Sequence, residues 1–232
     1  ESGLTGAMPE YLSNSTPLDD IQHLLNKDTL YYSVYTLLAN RWGQGDTLDE
    51  GFTWDRTTWW NHMEALENYQ RPAVAEEQLP ADAYVEHVAA NVQVVEGWLQ
   101  AHPETEFDLF LPPYSILFWD RVIREGRADA VFAAIRQAVE RLLPYENVKI
   151  YGYLMDEEIV TNLDNYCDNI HHSGDVCRQV LAMLRADEGR LTEENLEETL
   201  ANWHEFVIHY DYDKFWDQDY WIQWNTEHSA DQ

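Results

Sequence analysis

Two short apolar runs, Glu106-Phe107-Asp108-Leu109-Phe110-Leu111 and Val148-Lys149-Ile150-Tyr151-Gly152-Tyr153-Leu154, are separated by more than thirty residues of helical periodicity. A strand, a long helical crossover and a second strand form a βαβ unit, so the two strands are expected side by side and parallel in one sheet. Pro112-Pro113 stops the first run, because proline has no N–H to give to a ladder. After Ser115 the pattern turns helical, breaks near Gly126 and resumes with Phe132, Ile135, Val139 and Leu142 on one face. Upstream, Val85, Val88, Val92, Val95 and Leu99 recur at steps of three and four and predict a helix over 83–99, ended near His102-Pro103. Downstream, Ser173 is placed to cap a helix carrying Val176, Val180 and Leu184. Thr192 with two following Glu is expected to open another helix, holding Leu196, Leu200, Trp203 and Val207.

A parallel sheet normally has several strands and is covered on both faces, yet only two convincing strands are present. The first eighty residues offer no clear third: 30–40 reads as helix, and 42–60 is an irregular stretch rich in Gly, Asp and aromatics. Two alternatives stay open. Either the fold is mostly helical with a small sheet, or the leading strands of an α/β domain lie in sequence not present here. With no internal repeat and no low-complexity linker, a single domain over 1–232 is expected, ending in an acidic aromatic tail over 216–232.

The chain of 232 residues is 45% hydrophobic with 10 Trp, 14 Tyr and 7 Phe, which rules out disorder. Its formal charge is −29, from 43 acidic against 14 basic residues. Such a charge repels phosphate backbones, so nucleic acid is excluded as an expected partner. An excess of Asp and Glu suits a surface facing high salt, divalent ions or the cell exterior, and equally suits plain solubility by self-repulsion. No run approaches the roughly 18 apolar residues of a membrane span. The chain opens with Glu1 rather than Met, which is read as processing or truncation. Cys167 and Cys177 have neither CxxC nor zinc-type spacing and read as buried thiols or as a short-loop disulfide.

Those cysteines flank the run Asn165-Tyr166-Cys167-Asp168-Asn169-Ile170-His171-His172-Ser173, which sets a carboxylate three residues before an imidazole in a loop after a strand. An imidazole acts as general base toward a hydroxyl when a carboxylate orients it and stabilises the imidazolium. His171 and Asp168 are the catalytic candidates, with Asp164 as a nearby competitor for the orienting role and His172 as a bystander. Tyr114 and Ser115 follow the C-terminal end of a parallel strand, where α/β sheets place ligand crevices, and are candidate pocket residues. For Ser115 the plainer reading is a helix N-cap. Arg56, within Trp54-Asp55-Arg56-Thr57-Thr58-Trp59-Trp60-Asn61, is a candidate sugar contact or the cation of a buried ion pair. The aromatics and carboxylates from Tyr210 to Trp224 suit sugar rings, although packing of a terminal helix on the core is the preferred reading. His204 and His209 are five apart and diverge by about 140° around a helix, so they cannot share a metal.

The segments Phe110-Leu111-Pro112-Pro113-Tyr114-Ser115-Ile116-Leu117-Phe118-Trp119 and Thr161-Asn162-Leu163-Asp164-Asn165-Tyr166 through Asp168-Asn169-Ile170-His171-His172-Ser173 resemble bacterial proteins with an SGNH (GDSL-like) hydrolase fold. Pro9-Glu10-Tyr11-Leu12, Leu25-Asn26-Lys27-Asp28, Asn68-Tyr69-Gln70-Arg71-Pro72 and Gly189-Arg190-Leu191-Thr192 extend the likeness to about Phe215. The resemblance implies an α/β, flavodoxin-like three-layer sandwich, here incomplete, helix-rich and with few parallel strands. It implies acyl-ester hydrolysis or O-acyl transfer on a cell-surface polysaccharide, in the cell envelope, beside a membrane-bound O-acyltransferase. Asp168 and His171 match the family's Asp-x-x-His, and the mechanism calls for no metal or organic cofactor. The family's nucleophile lies in a Gly-x-Ser-like turn after the first strand, and none of Ser2, Ser13, Ser15 or Ser33 follows an apolar strand. The chain is therefore expected to be the C-terminal part of such a fold, inactive alone. The rival expectation is a non-catalytic glycan-binding or scaffolding module.

Overall fold

In a computed structural model of the chain, which describes Leu38, Arg41, residues 60–217 and residues 219–222, the two expected strands lie side by side and parallel. Strand β1 (Phe107–Phe110) pairs with β2 (Val148–Tyr151) in the register Phe107↔Val148 to Phe110↔Tyr151. The chain divides into two compact units, Glu1–Arg56 and Thr57–Gln232, and the description below is of the second. Leu38 and Arg41 are helical, the former within the helix expected over 30–40. The remainder of that helix, the stretch 42–59 and Arg56 lie outside the described residues.

A third strand, β3 (Arg190–Leu191), pairs antiparallel with β2 through Ile150↔Leu191 and Tyr151↔Arg190, giving the order β1-β2-β3. The described residues thus form a helix-rich α/β unit on a small mixed sheet, in line with the expected α/β, helix-rich class, with one antiparallel strand added to the expected parallel pair. Two residues are too few for a period-2 pattern, so β3 leaves no signal in the sequence. It is set instead by the turn before it, where Asp187 and Gly189 take positive φ of 57° and 73°. Gly152 then donates its N–H to the Gly189 carbonyl at 2.9 Å. Gly152 also ends β2 three residues earlier than expected: a Cβ there would stand 2.9 Å from Met155 Cε, and Tyr153–Met155 turn into a short 3₁₀ segment.

Among the described residues, the helices that frame the sheet and the loops are α1 (His62–Glu67), α2 (Val85–Ala101), α3 (Ile116–Arg124), α4 (Ala128–Leu142), α5 (Glu157–Thr161), α6 (Gly174–Ala186) and α7 (Leu196–His209). Most of the α2 stripe packs as its spacing predicts, with Val92 and Leu99 buried and Val88 and Val95 against the same cluster, whereas Val85, at the first position of the helix, is exposed. Asn147 Nδ2 reaches the carbonyls of Leu99, His102 and Thr105, so one amide ties the α2 C-terminus to the start of the sheet. Gly126 separates α3 from α4 at φ 66°, where a Cβ would meet the Glu77 carbonyl oxygen. Thr192 and Asn195 exchange side-chain bonds to each other's N–H, and Leu196 N donates to the Thr192 carbonyl at 3.0 Å, so Thr192 caps the turn that leads into α7 as its position predicts.

Trp119 of α3 is fully buried, its ring 5.0 Å from that of Phe132 and 6.2 Å from that of Trp203. Leu196, Leu200, Trp203 and Val207 present one buried face of α7 to this cluster. Each such side chain is worth about 1.5–3 kcal/mol on burial. On β2, Val148 and Ile150 join that core, whereas Tyr151 belongs to a second cluster with Tyr153, Ile159, Val176 and Val180. The period of two therefore feeds two cores from one strand.

Beside Trp119, the carboxylate of Asp120 is buried and accepts from Tyr69 Oη at 3.0 Å and from Arg71 Nε and Nη2 at 2.8 and 3.1 Å. Burial first, then Asp120, push the Tyr69 hydroxyl well above its ordinary pKa, so it stays a neutral donor. Arg71 also bonds Asp213 at 2.7 Å, and its guanidinium lies 4.2 Å over the Trp216 ring. The C-terminal aromatics accordingly pack on the core, with Tyr212 and Phe215 buried, in line with the preferred reading of that stretch.

Candidate functional site

The site is the loop 162–173, between α5 and α6, and almost every turn in it is capped by a side chain. The Asp156 carboxylate accepts from Ile159 N at 3.0 Å and starts α5; Asn162 Oδ1 accepts from Asp164 N at 3.1 Å and starts a 3₁₀ turn, Leu163–Asn165. Tyr166 and His172 form an isolated antiparallel bridge, and Cys167 N donates to the His171 carbonyl at 3.2 Å. The five residues from Cys167 to His171 are thus drawn into a closed loop. Ser173 accepts from Val176 N and begins α6, as its position predicts.

Long-range bonds seat this loop on the sheet. Tyr166, fully buried, donates its hydroxyl to the Pro113 carbonyl at 2.8 Å, and Ser115 Oγ stands 3.5 Å from the Asp168 carbonyl. Both partners follow the C-terminal end of β1, so the loop covers the place where parallel strands open their crevices. From the other side, Asn61 N donates to the Tyr166 carbonyl at 3.1 Å, and Asn68 Nδ2 donates to the Cys167 carbonyl at 3.0 Å.

Within the loop, Asp168 Oδ1 accepts from the N–H groups of Ile170 and His171, both at 2.7 Å, and Oδ2 lies 2.6 Å from His171 Nδ1. Partial burial works to raise the Asp168 pKa, but the His171 N–H, the His171 ring and the Ile170 N–H together outweigh it and hold the carboxyl below its ordinary range. An ionised carboxylate facing Nδ1 assigns the proton to Nδ1 and the lone pair to Nε2. The His171 side chain is 54% exposed. A half-exposed imidazole with that tautomer can accept a proton at Nε2.

The other sequence candidates are distributed differently. Asp164 does not compete for His171: its Oδ1 accepts from His62 N at 2.9 Å and lies 2.7 Å from His62 Nδ1. Ser115 stands at the N-cap position of α3, as its plainer reading has it, but makes no side-chain capping bond and is fully buried under the Asp168 loop. Tyr114 is half-buried, its ring 5.1 Å from that of Phe118. His172 turns away from His171, to 3.7 Å from Cys177 Sγ, and burial lowers its pKa. Neither cysteine forms a disulfide, and Cys167 is half-buried and Cys177 exposed, which corrects their reading as buried thiols.

Two members of the site were missed in the sequence. His62 follows the aromatic segment that ends at Asn61, and Asn61 Oδ1, which accepts from Glu64 N, fixes His62 at the first position of α1. Its ring also stacks on Trp221 at 3.8 Å and 8°. Cys167 is the second: one of its ligand atoms, one of Asp168 and one of His171 all lie within 4.8 Å of one another. Spacing rules for zinc sites did not detect it because three ligands crowd into five residues. Comparison with known proteins finds no matching family model, no matching curated protein and no matching solved structure.

Proposed function

We propose that the chain carries the base-and-orienter half of an SGNH-like acyl-ester hydrolase or O-acyltransferase acting on cell-surface polysaccharide, within a flavodoxin-like sandwich. The observation that carries this reading is the Asp168–His171 pair: a carboxylate fixed by two backbone N–H groups, against Nδ1 of a half-exposed imidazole, over the end of β1. His171 takes the proton of an attacking hydroxyl at Nε2, and Asp168 holds the tautomer and stabilises the imidazolium. The two described serines, Ser115 and Ser173, are buried and engaged with backbone groups, so the nucleophile of this reading is neither of them. Tyr114 directly precedes Ser115, and Asp164, within the loop, bonds His62. A membrane-bound O-acyltransferase partner and a cell-envelope location belong to the same proposal. The test is acetyl release from O-acetylated polysaccharide by the longest form of the protein containing this chain. His171→Ala is expected to reduce it by about 10²–10⁴-fold and Asp168→Asn by less. No release by any form, or equal release by the His171 variant, overturns the reading.

A glycan-binding module is the second reading, favoured by one feature. His62, Met63, Leu66, Phe215, Trp216, Asp217 and Trp221 line a cavity of about 310 Å³, apolar with a carboxylate at its rim, as sugar rings require. Retention on immobilised polysaccharide that is lost in Trp216→Ala supports it; equal retention removes it.

A further inference from the structure

We propose that Cys167, Asp168 and His171 form a binding site for a divalent transition ion of the zinc class. The three side chains offer sulfur, oxygen and nitrogen donors whose atoms lie within 4.8 Å of one another. Bonds of about 2.0–2.3 Å to a tetrahedral ion separate its donors by about 3.3–3.8 Å. The cluster is therefore already near the spacing the ion needs. The Asp168–His171 contact, at 2.6 Å, has to open as the ion takes the place of the shared proton, and any pair near the 4.8 Å limit has to close by about 1 Å.

The loop supplies what a ligand set usually lacks in the absence of its ion, which is order. Cys167 N donates to the His171 carbonyl, Tyr166 bridges to His172, and the Cys167 carbonyl is held by Asn68 Nδ2. Asp168 is oriented through Oδ1 by two N–H groups, with Oδ2 turned toward the cluster. Supporting bonds of this kind aim ligands and tune affinity. A thiolate with an imidazole and a carboxylate selects zinc, cobalt or nickel over magnesium and calcium, which take oxygen alone. Three protein ligands leave a fourth position for water or a second ligand, and the half-exposed His171 provides a way in. A net charge of −29 draws cations toward the whole surface.

An ion bound through His171 and Asp168 occupies the groups that the proposed function uses as base and orienter. That consequence, inhibition of acyl chemistry by zinc, rests on the proposed function; the binding site itself does not. Cobalt(II) added to the folded protein is expected to produce a thiolate-to-cobalt charge-transfer band in the near ultraviolet. Cys167→Ser abolishes the band, His171→Ala and Asp168→Asn weaken cobalt binding by about tenfold or more, and Cys177→Ser leaves both unchanged. No band with the folded protein, or a band lost in Cys177→Ser and kept in Cys167→Ser, overturns the site. Circular dichroism of each variant separates loss of ligand from loss of fold. Acetyl release is read separately: zinc is expected to inhibit it, and Cys167→Ser to weaken that inhibition by about tenfold or more relative to its own zinc-free rate. If no form releases acetyl, the cobalt spectra still decide the metal site.

Discussion

Trp119 and Asp168 belong to regions that the same chain builds by opposite means. Around Trp119, side chains from α3, α4 and α7 meet because apolar residues recur at helical spacing and exclude water together. Around Asp168 the loop buries Leu163 and Tyr166 in that core, but its other turns are set by polar bonds. The loop 162–173 is held by Asn162, Asp168 and Ser173 bonding local N–H groups, and by Tyr166, Asn61 and Asn68 bonding from a distance. The first region tolerates imprecise chemistry but not lost volume; the second depends, beyond its buried Leu163 and Tyr166, on particular donors and acceptors.

That difference is open to direct attack. Trp119→Ala empties the centre of the helical core and is expected to cost about 3–5 kcal/mol in urea unfolding. Asp120→Ala leaves the Arg71 guanidinium and the Tyr69 hydroxyl without their shared buried partner, at a cost of about 3 kcal/mol. The same variant is expected to loosen Trp216, since Arg71 bridges both, and tryptophan fluorescence checks this. Tyr166→Phe removes one bond and no volume. It is expected to cost about 1–2 kcal/mol and to raise amide exchange across 166–172 while exchange in α3 and α4 stays unchanged. Equal protection changes in both regions would break the contrast. Ser173→Ala, at a capping bond of 3.4 Å, is expected to cost about 0.5–1 kcal/mol.

Asp168 supplies the sharpest form of the contrast through pH. Its carboxyl is held below the ordinary Asp value of about 3.9. The unfolded chain therefore takes up this proton first as pH falls, and the stability Asp168 contributes is present above about pH 4 and is lost as pH drops through the lowered value. Asp168→Asn is expected to flatten that part of the acid limb of a stability-against-pH curve, measured by urea titration. An unchanged acid limb would show that the His171 and Ile170 N–H bonds do not select the ionised form.

The helices and the β1–β2 pairing were legible because each rests on a repeated signal. Val88, Val92, Val95 and Leu99 mark one face four times over, and the long crossover leaves parallel pairing as the natural solution. β3 was not legible, since Arg190–Leu191 is too short to repeat anything and is set by a turn with two positive φ values. The Asp168–His171 pair was readable from its spacing of three, which a closed loop can bring together locally. The pairing of Asp164 with His62 was not legible, because the two lie about a hundred residues apart and no local pattern announces it. Ser115 has the sequence position of a cap, yet the loop above it draws its hydroxyl toward the Asp168 carbonyl.

From sequence alone followed the apolar faces of the helices, the parallel pair of strands, the acidic surface and the local meeting of Asp168 with His171. All of these arise from periodicity, bulk charge or contacts within a few residues. Only the tertiary structure decided that the loop sits on the end of β1, that Asp164 belongs to His62, that Cys167 turns into the same cluster and that Arg71 ties the tail to Asp120. Those depend on segments brought together from distant parts of the chain, where single hydrogen bonds and ion pairs choose the partner and no repeat in the sequence records the choice.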